Sequence, residues 1–137
     1  MLLFLLLSLF PLKASSGLQV SITNLNEARG DLYVAVYDQS GNFLSLEKYY
    51  TRRILPVRQT GKIDISFDEL PPGKYAISCF HDLNGNGKMD TNLVGIPTEP
   101  YGFSNNARPK FRAPYWQEAV FYWNSGGNSP QIKLERW

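Results

Sequence analysis

Apolar and polar residues alternate with a period of two over much of the chain. Leu18, Val20 and Ile22 fall on one side of their segment, with Gln19 and Ser21 on the other. That alternation marks a half-buried strand. Ile63, Ile65 and Phe67 repeat the pattern across 62–67. Residues 31–38 form a β-branched and aromatic run that opens after Gly30 and ends at the turn Asp38-Gln39-Ser40-Gly41. Residues 74–81 are nearly continuously apolar, which predicts a central strand. Residues 54–57 read as a weaker strand, and Pro56 confines it to an edge. Residues 119–123 and 131–135 complete the set, while 43–50 fits either one helical turn or an irregular crossing. No long helical period is present. The expected fold is all-β: an antiparallel Greek-key β-sandwich of about seven strands, prealbumin-like or Ig-like. Leu70-Pro71-Pro72-Gly73-Lys74-Tyr75 is a rigid turn that feeds the central strand.

Between Asp82 and about Tyr115 no strand is readable. A loop of that length in a small domain is usually functional or tied down. It begins with His81-Asp82-Leu83-Asn84-Gly85-Asn86-Gly87-Lys88-Met89-Asp90. Asp82, Asn84, Asn86 and Asp90 carry oxygens at the spacing of a D-x-[DN]-x-[DN]-G calcium loop, and the Lys88 carbonyl would be its backbone ligand. A hard cation needs several oxygens converging at about 2.3–2.6 Å, and a tightly turned loop points alternate positions inward. The twelfth position, which carries a bidentate Glu in an EF-hand, is Leu93 here. Glu99 is the candidate to replace that carboxylate from a distance; otherwise it is a surface residue between two prolines. Asn-Gly pairs also favour hairpin turns, so a plain turn is the competing reading of the loop.

Residues 2–12 form an apolar run of signal-peptide length, too short to span a bilayer, followed by Ala14, Ser15 and Ser16. The expectation is a signal peptide at 1–16, a single domain at 17–137, a periplasmic or secreted location and no membrane span after cleavage. The formal net charge of +2 argues against a dedicated nucleic-acid binder. The single cysteine, Cys79, excludes an intramolecular disulfide.

Leu70–Ala76, His81–Asp90 and the stretch Gly95-Ile-Pro-Thr-Glu-Pro-Tyr-Gly-Phe-Ser-Asn-Asn106, with the weaker Gly30–Tyr37, resemble the bacterial domain of unknown function 2141 family. The likeness covers most of the domain. It implies a small secreted or periplasmic β-sandwich and no activity. The loop from Asp82 to Asp90 also resembles calcium loops of bacterial surface B-type sandwich repeats, over that loop alone.

Catalytic constellations are thin. His81, the only histidine, follows Cys79 by two positions, but a Cys–His dyad needs an activating cleft. The bland reading is a buried thiol and a hydrogen-bonded strand-end histidine. Ser104 lacks a nucleophile-elbow context, and one His with one Cys is too few for catalytic zinc. Transthyretin-type hydroxyisourate hydrolases use several histidines and a Tyr-Arg-Gly-Ser tail, whereas this chain ends Leu-Glu-Arg-Trp137. A surface B-type isopeptide would need a lysine in 18–23 and an asparagine in 131–135, and neither is there. Aromatics crowd the stretch from Tyr101 to Trp123. In one reading Tyr101, Phe103 and Asn105 bind a ligand. In the other, Phe121 and Trp123 turn into the core while Tyr101, Phe103 and Phe111 pin the loop. The chain is thus expected to be an envelope binding or structural module, not an enzyme, with an unknown protein or carbohydrate partner. Asp82, Asn84, Asn86, Lys88, Asp90 and Glu99 would hold Ca2+ weakly, in the range of about 10⁻⁴–10⁻³ M. The alternative is a carbohydrate- or small-ligand-binding domain, or an enzyme, using the 91–116 loop.

Overall fold

The computed structural model describes residues 17–68, 70–127 and 129–137. The expected signal peptide at 1–16 lies outside the described residues. Eight strands follow in chain order: β1 (Leu18–Leu25), β2 (Asp31–Tyr37), β3 (Thr51–Pro56), β4 (Gly61–Phe67), β5 (Gly73–Asp82), β6 (Tyr101–Phe103), β7 (Phe121–Trp123) and β8 (Gln131–Lys133). One helical turn, α1 (Trp116–Ala119), precedes β7. No helix among the described residues is long and apolar enough to cross a membrane.

The strands form two sheets. One has the order β4-β1-β8; the other runs β3-β2-β5, and the far side of β5 pairs with β7 and then β6. Every pairing is antiparallel except β1 with β8, which is parallel. The core lies between the sheets and follows the alternation. Leu18, Val20 and Ile22 of β1 meet Leu32, Val34 and Val36 of β2 and Ile77 and Cys79 of β5, all buried. A register shift after Ile22, with Asn24 at φ 67°, turns Leu25 inward as well. Ile132 of β8, beside Ile22, seals the edge of the core.

Three sequence readings need correction. The stretch from Asp82 to Tyr115 holds a strand, β6, and a 3-10 turn at Ser104–Asn106. Residues 116–119 are helical where a strand was expected to begin, because the Glu118 carboxylate accepts a hydrogen bond from the Tyr115 N–H (2.8 Å) and closes the turn. Phe111 is 83% exposed and pins nothing in the core, while Trp123 is buried and Phe121 packs against it as read.

β6 also ties the sheets together. Tyr101 and Glu135 exchange two backbone hydrogen bonds, 3.0 and 3.1 Å, just past β8. Between them, Gly102 passes so close that a Cβ there would lie 2.8 Å from both Ile132 Cγ2 and the Lys133 carbonyl. A Gly102→Ala substitution should therefore destabilise the fold by about 1–3 kcal/mol through overpacking. Gly41→Ala, with nothing within 4 Å of its new carbon, should stay within about 0.5 kcal/mol of the parent. Urea unfolding of the two variants checks the contrast.

Candidate functional site

The 82–90 loop grows directly out of β5. The chain turns through Gly85 and Gly87, both at positive φ. Asp82 is fully buried, and its two carboxylate oxygens accept the backbone N–H groups of Asn86 (3.3 Å) and Gly87 (2.8 Å). The Asn84 and Asn86 side chains converge on Asp90, each donating an amide N–H to one Asp90 carboxylate oxygen at 2.6 and 2.7 Å. The Asn86 Oδ1 in turn accepts the Lys88 N–H at 3.0 Å.

Glu99 reaches back under this loop. It is 4% exposed. One carboxylate oxygen accepts the Leu83 N–H at 2.7 Å and the other accepts the Asp90 N–H at 2.9 Å. Thr98 adds a backbone bond to the Asp90 carbonyl. The sequence-predicted set is thus brought together in one knot. Asn84, Asn86 and Asp90 face one another, Asp82 sits at the base, and Glu99 clamps the two ends of the loop through backbone N–H groups. Among the described residues neither Asp82 nor Glu99 has a basic side chain in ion-pair range. Among the described residues no three His, Cys, Asp or Glu side chains are grouped to hold a metal, so an ion here would rest on amide and backbone oxygens too. Such hard oxygen donors suit calcium rather than a transition metal.

The loop is also a wall. A cleft of about 980 Å³ lies on the outer face of the five-stranded sheet. Its floor is the side of β2 and β5 opposite the core: Tyr33, Ala35 and Tyr37 on β2, Ser78 and Phe80 on β5. Tyr33 and Phe80 are cross-strand partners whose rings stack at 4.8 Å. Tyr101 and Phe103 extend the floor on β6. One wall is formed by 87–89 and 94–97, a second by 44–49 and a third by 108–114. The Tyr37 hydroxyl donates to the Ser45 carbonyl (3.0 Å) and holds the second wall down; burial pushes this phenol's pKa up. In the third wall, the Arg108 guanidinium lies over the Tyr101 ring at 4.0 Å.

Asn105 is turned elsewhere. Its amide bonds the Glu118 and Val120 carbonyls and anchors α1. The floor residues on β2 and β5 escaped sequence reasoning. The available signal was aromatic residues on the outward positions of two central strands, where a solvated face would carry polar ones.

The remaining reactive groups are engaged in structure. Cys79 is buried in the core, and desolvation pushes its thiol from 9.0 up to about 12, the opposite of activation. The His81 ring is buried and bonded to the Arg29 carbonyl at 2.6 Å. The Ser104 hydroxyl donates to the Ala119 carbonyl (2.5 Å) and accepts the Ile77 N–H (2.9 Å), which links β5 to the end of α1 through the 104–106 turn.

The chain belongs to the family described as "Uncharacterized protein conserved in bacteria (DUF2141)", whose model matches residues 20–131. No curated protein and no solved structure matches it.

Two outcomes follow from this geometry. Glu99→Gln places an amide donor against one loop N–H, and should lower stability by about 1.5–3 kcal/mol and speed hydrogen exchange at the Leu83 and Asp90 amides. Cys79 should resist alkylation at pH 8 until the chain unfolds. Because its folded pKa is raised, its proton favours the folded state below about pH 9, and that contribution is lost as pH rises towards about 12. A pH series of unfolding curves reads the sign.

Proposed function

We propose that this family member is an exported small-molecule-binding module, with the outer face of its five-stranded sheet as the binding cleft and the 82–90 loop as a cation-stabilised wall. The observation that carries this reading is the ring-lined cleft itself. A solvated sheet face places polar side chains outward; here β2, β5 and β6 present Tyr33, Phe80, Tyr101 and Phe103 there, beneath three separate loops. Pockets of about 300–1,000 Å³ with apolar and aromatic linings are the size and kind that hold small ligands.

The calcium part of the reading rests on two buried carboxylates that lack cationic partners. Burying an unneutralised carboxylate is costly, and backbone N–H groups offset only part of that cost. A divalent ion among Asn84, Asn86 and Asp90, with Asp82 and the Lys88 carbonyl beneath, would supply the missing positive charge. The two asparagine amides would then present oxygen, not nitrogen, to the centre of the loop. Glu99 would act as a clamp on the loop and not as a direct ligand. Export is supported by the apolar run at 2–12 and the small residues after it. A binding module is preferred to an enzyme because Cys79, His81 and Ser104 are all committed to packing or to backbone bonds.

Thermal unfolding in millimolar calcium, in magnesium and in a chelator tests the ion. Calcium at about ten times its dissociation constant should add about 1.4 kcal/mol, a rise of about 5 °C for a domain of this size. The rise should vanish in Asp82→Asn with Asp90→Asn. Identical melts in all three conditions would remove the ion from the proposal and leave the loop held by Glu99 and its own hydrogen bonds.

A further inference from the structure

We propose that the ligand taken by the cleft is a small organic anion with a planar apolar body. This rests on the reading of the sheet's outer face as a binding cleft. The cleft lining contains four cationic side chains, Arg52, Lys88, Arg108 and Arg112, and among the described residues no aspartate or glutamate. Two of the four are matched by acids outside the lining. Arg108 lies 3.5 Å from the Glu135 carboxylate, and Arg112 bonds Glu118 at 2.6 Å. Among the described residues Arg52 and Lys88 have no carboxylate in ion-pair range. The Arg52 guanidinium instead lies 4.8 Å from the centre of the Tyr49 ring.

These two charges stand on different elements, Lys88 on the first wall and Arg52 on the sheet strand β3, over one patch of floor. Arg52 is on β3, opposite Ala35 of β2. Lys88 follows Gly87, at which a Cβ would lie 3.6 Å from the Tyr33 hydroxyl. Tyr33 and Ala35 are consecutive outward positions of one strand, about 7 Å apart. An anionic group held over this part of the floor would be attracted by both cations, whose field the cleft concentrates, through charge-assisted hydrogen bonds. The rest of the ligand would lie on rings.

The mouth is apolar as well. Val94, Phe111 and Trp137 come from three segments and are 78%, 83% and 52% exposed. Apolar side chains held open around a pocket mark a surface that a ligand covers. A cationic ligand finds no counter-charge in this lining. A neutral sugar is also a poor match, because the lining has rings but, among the described residues, no Asn, Gln, Asp or Glu to bond ring hydroxyls. That sets the carbohydrate alternative below the organic anion.

The test is a matched pair of probes, 1-anilinonaphthalene-8-sulfonate and its neutral parent N-phenyl-1-naphthylamine, titrated by fluorescence and calorimetry against the folded protein. The sulfonate should bind saturably, one per chain, about tenfold or more tighter than the neutral parent. Arg52→Gln with Lys88→Gln should erase that difference with an unchanged melting temperature, whereas Phe80→Ser should weaken both probes. Equal affinity for the two probes would overturn the anion assignment and leave the cleft reading intact. Binding of neither would overturn both.

Discussion

The Glu99 carboxylate is the contact on which the site depends. It is buried, and it spends both oxygens on backbone N–H groups nine residues or more away, at Leu83 and Asp90. Charge-assisted bonds of this kind contribute about 1.5–3 kcal/mol each. They act where the chain leaves β5 and must turn back toward β6. Without them the 83–97 segment would keep its internal bonds, those of Asp82 to the Asn86 and Gly87 N–H groups and of Asn84 and Asn86 to Asp90, but would lose the buried tie between its two ends and the start of β6. With them, residues 87–89 and 94–97 stand at a fixed height above the sheet. The clamp thus converts a loop into a wall, and the wall into one side of a cleft.

The cleft in turn follows from the two faces of β5. Its inward residues Ile77 and Cys79 are in the core, and its outward residues Ser78 and Phe80 are in the floor. A strand apolar on both faces must be covered on both. The opposing three-stranded sheet covers one face. The other is covered incompletely by three loops. That incomplete cover is what leaves a ring-lined space and not a second core. β6 sets its far boundary, since Gly102 and the Tyr101–Glu135 exchange draw that short strand against β8.

Much of this was legible from residue pattern. Leu18, Val20 and Ile22 announce their face by strict alternation, and the apolar continuity of 74–81 announces a strand buried on both sides. β6 was not legible, because Tyr101-Gly102-Phe103 follows Pro100 and has glycine at its centre, a residue depleted in strands. Its pairing partners are long-range, on β5 and at Glu135. α1 was missed for a different reason: four residues carry no helical period, and a hydrogen bond from the Tyr115 N–H to the Glu118 carboxylate defines the turn. At the site, the oxygen spacing of Asp82, Asn84, Asn86 and Asp90 could be read locally, and so could a role for Glu99. That Glu99 acts through backbone N–H groups could not, because its geometry is set by where β6 begins. Asn105 was misjudged for the same reason, its amide being taken by carbonyls at Glu118 and Val120.

The loop and the cleft are one mechanical unit, and this constrains how the site can work. Asp82 closes β5 and is paired with Asp31 at the start of β2, so the ion-type loop is anchored to the two strands that make the floor. Lys88 lies within that loop, between Asn86 and Asp90. Any ion that draws Asn84, Asn86 and Asp90 inward would also fix where the Lys88 backbone stands, since its N–H is already bound to Asn86. The backbone that carries one of the two unmatched cations is therefore set by the same hydrogen bonds that shape the loop. Ligand and ion would then bind with positive coupling, because each reduces the conformational freedom that the other must remove. Such coupling would have a sign as well as an origin: an anion at Lys88 and a cation at Asp90 would attract across the loop, while two anions there would repel.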